Sequence, residues 1–166
     1  MTNRIRWNPK TTPKELHDLL RALALTHPVA AGGKGIAVSF KKVHQPGTCE
    51  VLWNDRSAVI RYAARAQAAR GIGAVMSNVA RKGAAYREST PFTTLGIMLD
   101  CSRNAVMTVD HFKTWLPRLS LLGYNMVMLY TEDTYELPKE PYFGYQRGAY
   151  TAEELKAIDA HAALFG

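Results

Sequence analysis

Residues 95–133 constrain the fold of this chain more than any other stretch. Two short apolar runs, at residues 95–99 (Leu-Gly-Ile-Met-Leu) and 125–130 (Asn-Met-Val-Met-Leu-Tyr), are each followed by polar residues. Runs of this length are too short for a globular helix and are typical of buried strands. Between them, residues 109–122 place apolar side chains on one helical face, with Thr108 as the predicted N-cap and Gly123 as the predicted end. The predicted order is therefore strand, helix, strand.

Charged side chains follow both predicted strands. Such a unit forms a right-handed crossover between parallel strands, whose carboxyl ends lie at the same rim of the sheet. Asp100 and Arg103 follow the first strand, and Glu132 and Asp133 follow the second. Ligands bind at this rim in parallel α/β folds, so the four residues form a candidate site. An aspartate at a strand end is also often only a cap or half of an ion pair, and that alternative stands beside the functional one.

Three longer motifs extend from these strands into the loop beyond them. They read Gly-Ile-Met-Leu-Asp-Cys-Ser-Arg-Asn at residues 96–104, Met-Leu-Tyr-Thr-Glu-Asp-Thr-Tyr at 128–135, and Pro-Tyr-Phe-Gly-Tyr at 141–145, the last continuing through Arg147-Gly148 and Tyr150-Thr151. Over residues 92–166 the sequence resembles the start of the catalytic domain of the family 20 glycoside hydrolases, the β-N-acetylhexosaminidases. The likeness is greatest to bacterial members with Thr-Glu-Asp-Thr after the second strand, where better-known members carry Thr-Asp-Asp-Gln.

The resemblance implies a (β/α)₈ TIM-type barrel enzyme that removes terminal β-linked N-acetylglucosamine or N-acetylgalactosamine with retention. In this family the acetamido oxygen of the substrate acts as the nucleophile, and neither a cofactor nor a metal is implied. By motif position, Arg103 resembles the arginine that binds sugar hydroxyls, and Glu132 and Asp133 resemble the acidic pair that supports the site. Asp100 is expected to support the site with them. The catalytic Asp-Glu pair of the family follows the fourth strand and has no counterpart here.

The chain is too short to hold a whole barrel of this type. A (β/α)₈ barrel takes about 250 residues, and residues 91–166 have room for only the first two β/α units. We therefore expect the N-terminal portion of a longer enzyme, inactive by itself because the catalytic pair lies beyond residue 166. Two parallel strands with open edges also favour self-association between copies of the chain.

Residues 1–90 predict a separate, non-catalytic α+β domain. Three runs alternate apolar with polar or small residues, a pattern typical of antiparallel strands with one buried face. These runs lie at residues 35–43, 48–53 and 57–62. A helix precedes them, another is predicted at residues 65–82, and a polar connection at residues 83–91 leads to the start of the barrel at 91–166. Family 20 enzymes commonly carry such a domain ahead of the barrel, so this order is compatible with the resemblance.

Positive charge is concentrated in the first part of the chain. Residues 1–90 contain fifteen Lys and Arg against five Asp and Glu, whereas residues 91–166 contain six against nine. The asymmetry leaves open a stand-alone module that binds a carbohydrate or a polyanion. Because the cations are scattered and form no block of five or six, solvated faces and docking onto the acidic half are favoured, and a nucleic acid partner is not.

Several other kinds of protein and site are disfavoured by the sequence. No run approaches eighteen consecutive apolar residues and no signal peptide is recognisable at the start, which predicts a cytoplasmic protein without a membrane partner. Cys49 and Cys101 lack metal-ligand spacing, as do the histidines, so we expect two reduced, buried thiols and no metal site. The Gly-rich residues 31–35 lack the Lys-Ser/Thr of a phosphate-binding loop.

The loop at residues 134–150 is rich in Tyr, Pro and Gly. Long loops at the carboxyl ends of barrel strands form subsites, and aromatic rings suit the apolar faces of sugars. Tyr135 and Tyr145 are therefore candidate sugar contacts. Aromatic residues in loops more often only pack the loop down, and that interpretation is favoured for any single one of them.

Overall fold

The computed structural model describes residues 2–103, 105–145 and 148–166. Over these residues the chain has a mixed α/β architecture, with a six-stranded sheet, a two-stranded sheet and four α-helices. The strands are β1 (Ile5–Trp7), β2 (Val29–Ala31), β3 (Ile36–Lys42), β4 (Cys49–Trp53), β5 (Ser57–Tyr62), β6 (Ala85–Glu88), β7 (Gly96–Asp100) and β8 (Met126–Tyr130). The helices are α1 (His17–Ala24), α2 (Arg65–Met76), α3 (Val109–Leu122) and α4 (Ala152–Ala162).

The larger sheet has the strand order β2-β1-β3-β5-β4-β6. The three strands predicted in this part of the chain are present as β3, β4 and β5, and β4 pairs antiparallel with β5 as expected. The prediction of an antiparallel sheet is wrong for β3, which runs parallel to β5. The reason is that β5 lies between β3 and β4. Alternation along a strand reports which face is buried, but it does not report which strand lies alongside.

Three short strands extend this sheet beyond the predicted ones. β1 runs parallel to both β2 and β3, and β6 pairs antiparallel with β4. β6 falls within the connection predicted at residues 83–91, so that prediction is wrong for Ala85–Glu88. Strands of three or four residues carry too little alternation to be recognised in the sequence. The domain boundary near residue 90 stays a prediction.

One face of the six-stranded sheet is buried against α1 and α2. Val38, Val51 and Ile60, on three adjacent strands, are at most 5% exposed. The main helical contributions to the same core come from Leu16, Leu19, Leu20, Leu23, Ile72 and Val75. Burying a side chain of this size stabilises the fold by about 1.5–3 kcal/mol. The two helices are therefore held on this face chiefly by apolar contact.

The predicted strand–helix–strand unit is confirmed. β7 and β8 pair in parallel with Gly96 opposite Met126 and Asp100 opposite Tyr130, and α3 connects them. The Thr108 hydroxyl accepts a hydrogen bond from the His111 amide at 3.3 Å, which caps the start of α3. Gly123 ends the helix in the left-handed region, with φ of 95°. Local signals in the sequence were sufficient to define this unit.

Helix α2 lies between the larger sheet and α3, because it packs on β4 and β5 with one side and on α3 with the other. Two glycines permit this close packing. A β-carbon at Gly71 would lie 2.5 Å from Ile60 Cγ2, and one at Gly73 would lie 2.1 Å from the carbonyl oxygen of Leu121. The helix predicted at residues 65–82 ends earlier, at Met76, and Asn78 then takes up a left-handed conformation with φ of 61°.

Three carboxylates of the larger sheet and its helices are paired with cations. Arg70 donates from Nε and Nη2 to Glu88 at 2.8 Å each, and this lowers the pKa of Glu88. The pKa of Glu50 is lowered chiefly by a hydrogen bond from Arg87. Lys42, and then the Tyr62 hydroxyl, lower the pKa of Glu15. The predicted N-terminal helix begins with a 3-10 turn at Lys14–Leu16, and Glu15 makes these tertiary contacts there.

These pairs predict a loss of stability in acid. A carboxyl whose pKa is lowered by folding stabilises the protein above its ordinary value of 4.5, and this contribution is lost as the pH falls through the lowered pKa. We expect the free energy of unfolding, measured in urea, to be level from pH 7 to pH 5 and to fall below about pH 4.5.

Glu88→Gln removes one of these groups. We expect it to lower stability by about 1 kcal/mol at pH 7 and to flatten part of the acid decline, because Arg70 loses its charged partner. Glu140→Gln, a change at an exposed carboxylate, is the matched control. Equal stability at pH 5 and pH 3 in the unmodified chain would contradict this account.

Two further expectations from the sequence bear on the fold. Cys49 and Cys101 are both free and buried, as predicted. Burial raises the pKa of Cys49 to about 12, so its thiol is uncharged at neutral pH. Among the described residues, the helices are too short or too polar to cross a bilayer.

Candidate functional site

The candidate site is built where β7 and β8 end side by side. The ladder between them continues one residue further, because the Cys101 amide donates to the Tyr130 carbonyl at 2.9 Å. The loops after the two strands therefore begin at the same level of the sheet. Of the four charged residues predicted for this rim, Asp100 is the last residue of β7, Arg103 follows it, and Glu132 and Asp133 follow β8. The rim thus brings together the groups that the sequence placed in separate motifs.

Asp100 organises the first loop. Its Oδ1 accepts from the backbone amides of Ser102 at 3.0 Å and Arg103 at 3.1 Å. Its Oδ2 lies 3.3 Å from Nε of Arg103. The capping and ion-pair alternative raised for this residue is therefore realised. Because the same carboxylate holds both the backbone and the side chain of Arg103, this structural role also orients the predicted binding residue.

Arg103 presents its guanidinium outward from the rim. Its side chain is 71% exposed, and its Cζ lies 5.3 Å from the centre of the Tyr130 ring. A cation over an aromatic face is attracted to it, and this contact limits the movement of a long side chain. Arginine has five N–H donors in a planar fork, so several stay available beside the contact with Asp100.

Glu132 ties the two loops together. Its Oε2 accepts from the Ser102 hydroxyl at 2.5 Å, and its Oε1 accepts from the Tyr130 hydroxyl at 2.7 Å. The backbone of Glu132 is left-handed, with φ of 45°, a conformation that is unfavourable for a residue with a β-carbon. These contacts fit the supporting role expected of Glu132. Ser102 and Tyr130 were not predicted, since no spacing rule links a serine in one loop to a glutamate thirty positions later.

Asp133 and Thr134 complete the turn after β8. Thr134 is buried, and its hydroxyl donates to the Thr131 carbonyl at 2.6 Å. The carbonyl of Asp133 faces Gly144, where a β-carbon would lie 2.1 Å from that oxygen. Gly144 has φ of 66°, so both its conformation and its contact require glycine. The aromatic loop is therefore in direct contact with the rim.

The two tyrosines predicted to contact sugar differ in their surroundings. Tyr135 is half-buried, packs edge-on against Phe143 with 5.2 Å between ring centres, and forms a bridge to Tyr150. Tyr145 is 66% exposed, and its ring centre lies 6.2 Å from that of Tyr142, which is 83% exposed. Tyr135 thus packs the loop down, whereas Tyr145 and Tyr142 are largely exposed.

Chemically, the described rim presents groups of the kinds that bind polar ligands. It has one exposed guanidinium, carboxylates engaged by backbone amides and hydroxyls, and two accessible rings. Within residues 2–103, 105–145 and 148–166, no three His, Cys, Asp or Glu side chains are grouped to hold a metal ion. Asn104 and Arg147, which belong to the motifs quoted above, lie outside the described residues.

Solved structures with the same fold include β-N-acetylhexosaminidases and β-N-acetylglucosaminidases, several of them of glycoside hydrolase family 20. The Vibrio harveyi exo β-N-acetylglucosaminidase, solved with N-acetylglucosamine, matches 99% of this chain at 17% identity with a TM-score of 0.70. The β-N-acetylhexosaminidases of Streptomyces coelicolor A3(2) and Bacteroides fragilis match 98% and 100% of it, at 19% and 18% identity and TM-scores of 0.65 and 0.67.

The predicted resemblance is confirmed at the level of the fold. This chain spans only 32% to 40% of the length of those three enzymes. No protein-family model matches the sequence, and no curated protein matches it. The likeness is thus carried by the arrangement of strands and helices rather than by overall sequence identity.

Proposed function

We propose that this chain is the N-terminal portion of a family 20 β-N-acetylhexosaminidase. In this proposal residues 1–90 are the non-catalytic α+β domain, and residues 91–166 are the first two β/α units of the (β/α)₈ barrel. The parent enzyme hydrolyses terminal β-linked N-acetylglucosamine or N-acetylgalactosamine with retention, using the acetamido oxygen of its substrate. The observation that carries the proposal is a parallel strand pair that brings Arg103 and Glu132 to one rim, within a fold shared with these enzymes over nearly the whole chain.

The open face of β7 and β8 supports this proposal independently. Leu99, Val127 and Leu129 pack against the core, whereas the alternate residues Met98, Met126 and Met128 are 60%, 39% and 48% exposed. Strands that are apolar on both faces are typical of parallel sheets covered on both sides. A two-stranded sheet is also marginally stable by itself. Further barrel strands would cover this face, and in the isolated chain the same surface and edges favour self-association.

The described residues have distinct roles in the proposed enzyme. Arg103 binds hydroxyl groups of the terminal sugar through its free N–H donors. Asp100 sets the position of Arg103, Glu132 joins the two loops, and Asp133 supports the site with them. Tyr145 contacts the sugar through its exposed ring, and Tyr135 acts mainly by supporting the loop. The catalytic Asp-Glu pair belongs to the barrel beyond residue 166, so this chain supplies binding groups rather than the acid and base.

A chromogenic β-N-acetylglucosaminide tests the proposal. We expect purified residues 1–166 to release no chromophore. We expect a longer protein containing this chain to hydrolyse the substrate with retention, which NMR measures from the anomer of the sugar first released. Turnover by residues 1–166 would contradict the predicted inactivity. A longer protein without activity on either β-N-acetylglucosaminides or β-N-acetylgalactosaminides would contradict the proposed function.

A further inference from the structure

The outward face of the six-stranded sheet has a row of charged side chains. On β3, β5, β4 and β6 the residues that alternate with the core point away from α1 and α2. Within this face Lys41 pairs with Arg61, Arg61 pairs with Glu50, and Glu50 pairs with Arg87 as direct cross-strand neighbours. Adjacent strands are about 4.8 Å apart, so the row extends over roughly 14 Å. The row lies on the larger sheet, whereas Arg103 lies at the end of β7, so the two sites share no residue.

Glu50 holds the two arginines of this row in place. Its side chain is only 8% exposed, with Oε2 accepting from Arg61 Nη1 at 2.8 Å and Oε1 accepting from Arg87 Nη2 at 2.6 Å. These hydrogen bonds, first that from Arg87, keep the pKa of Glu50 low despite its burial. Glu50 is therefore ionised at neutral pH and leaves the row with two excess positive charges, counting Lys41.

The arginines retain donors that Glu50 does not use. Arg61 Nε is buried and has no hydrogen-bond partner among the residues that the structure describes. That atom is closed to solvent, so the donors open to a ligand lie on the exposed parts of the two guanidiniums, whose side chains are 38% exposed for Arg61 and 71% exposed for Arg87. A groove of about 320 Å³ is lined by Arg61 and Arg87, by the carboxylates Glu50 and Glu88, and by Gln45, Thr48 and Ser89. Glu88 is paired with Arg70, and Lys41 lies along the row outside the groove lining. Gln45, Thr48 and Ser89 add amide and hydroxyl groups beside the cations.

We propose that this groove binds an oxyanion group, sulfate or carboxylate, carried on an anionic glycan. A guanidinium pair braced by a buried carboxylate suits an oxyanion, which accepts several N–H bonds at once. The neighbouring amide and hydroxyls suit the hydroxyl groups of a sugar. Among the outward residues of these strands there is no aromatic ring, and Ser39, Val59, Leu52 and Ala85 occupy the adjoining positions. A single-stranded nucleic acid would favour aromatic platforms, so a glycan is the better fit.

A titration of purified residues 1–166 with a sulfated, heparin-derived hexasaccharide tests the inference by calorimetry. Inorganic sulfate, neutral N-acetylglucosamine trisaccharide and single-stranded DNA of matched charge serve as comparisons. We expect the hexasaccharide to bind more tightly than the other three. Raising the salt concentration from 50 to 200 mM should lower the affinity for the hexasaccharide about tenfold if two counterions are released on binding. The hexosaminidase proposal makes no demand on this result, so either can fail without the other.

Variants locate the site. Arg87→Gln and Lys41→Gln should each weaken binding about fivefold, as expected for one exposed cation of the row. Arg81→Gln makes the same change of charge near the other end of β4, where Gly83 bonds to Trp53, and should change affinity less than twofold. Thermal unfolding checks that each variant is folded. If Arg87→Gln does not fold, Lys41→Gln still tests the proposed site.

Four outcomes would overturn the inference. One is absence of hexasaccharide binding, and another is equal weakening by Arg81→Gln, which would indicate only the general field of a basic protein. Inorganic sulfate binding as tightly as the hexasaccharide would indicate a small-anion site without glycan recognition. Tighter binding of single-stranded DNA would indicate a nucleic acid surface instead.

Discussion

Gly73→Ala is expected to destabilise the chain by about 3 kcal/mol, the upper part of the range for overpacking a close contact. The new β-carbon would lie 2.1 Å from the Leu121 carbonyl oxygen, and neither helix backbone can move without disturbing the other. Helix propensity alone predicts the opposite sign, since alanine is favoured over glycine by about 1 kcal/mol inside a helix. For a chain of this size, the melting temperature should fall by about 6–12 °C.

Gly71→Ala is the matched control for this prediction. Its β-carbon would meet the end of the Ile60 side chain at 2.5 Å, and a side chain can shift where a carbonyl cannot. We expect a loss of about 1 kcal/mol there, measured in the same urea or thermal unfolding experiments. An unchanged or raised melting temperature for Gly73→Ala would mean that α2 and α3 are less closely packed than this structure has them. Hydrogen exchange should show the loss of protection in Gly73→Ala concentrated in those two helices.

The second large effect concerns Arg103 in a longer protein that contains this chain, and it depends on the proposed function. Arg103→Ala should lower kcat/KM for a β-N-acetylglucosaminide by about 100-fold, as for removal of a charged hydrogen-bond donor from a reacting site. Arg103→Lys should recover only part of this loss, because an ammonium lacks the planar fork that Asp100 and Tyr130 orient.

Arg118→Ala provides the comparison for charge. Arg118 is an exposed arginine on α3, so its removal alters the net charge equally without touching the rim. We expect its kcat/KM to stay within about twofold of the unmodified enzyme, as for most surface changes. If Arg103→Ala retains more than half the activity, or if Arg118→Ala loses as much, the proposed role of Arg103 is wrong. Matching melting temperatures would exclude misfolding as the cause.

The fold features that could be predicted from the sequence are those with local causes. The bounds of α3 follow from Thr108, Gly123 and one apolar face, and all three act within a few residues. The Thr151 hydroxyl caps α4 in the same way, and Glu154 bonds back to the Thr151 amide. The parallel pairing of β7 and β8 followed from the short connection through one helix, whose handedness and direction are strongly restricted.

The candidate site was predicted in outline and not in detail. A general rule about strand ends placed Asp100, Arg103 and Glu132 at one rim, and the structure brings them there. The same rule could not name Ser102 and Tyr130, which bind the Glu132 carboxylate. Those contacts depend on side-chain directions in two loops, and these directions are set only when both strands are in place.

The sequence by itself determined the strand–helix–strand order of residues 95–130, the capped ends of α3, and the charged residues at the ends of β7 and β8. Each follows from forces between residues close in the chain. Only the tertiary structure decided that β5 lies between β3 and β4, that β6 joins the sheet, and that Gly73 meets Leu121. Those features follow from packing between distant segments, and the apolar pattern of any one segment is compatible with several neighbours.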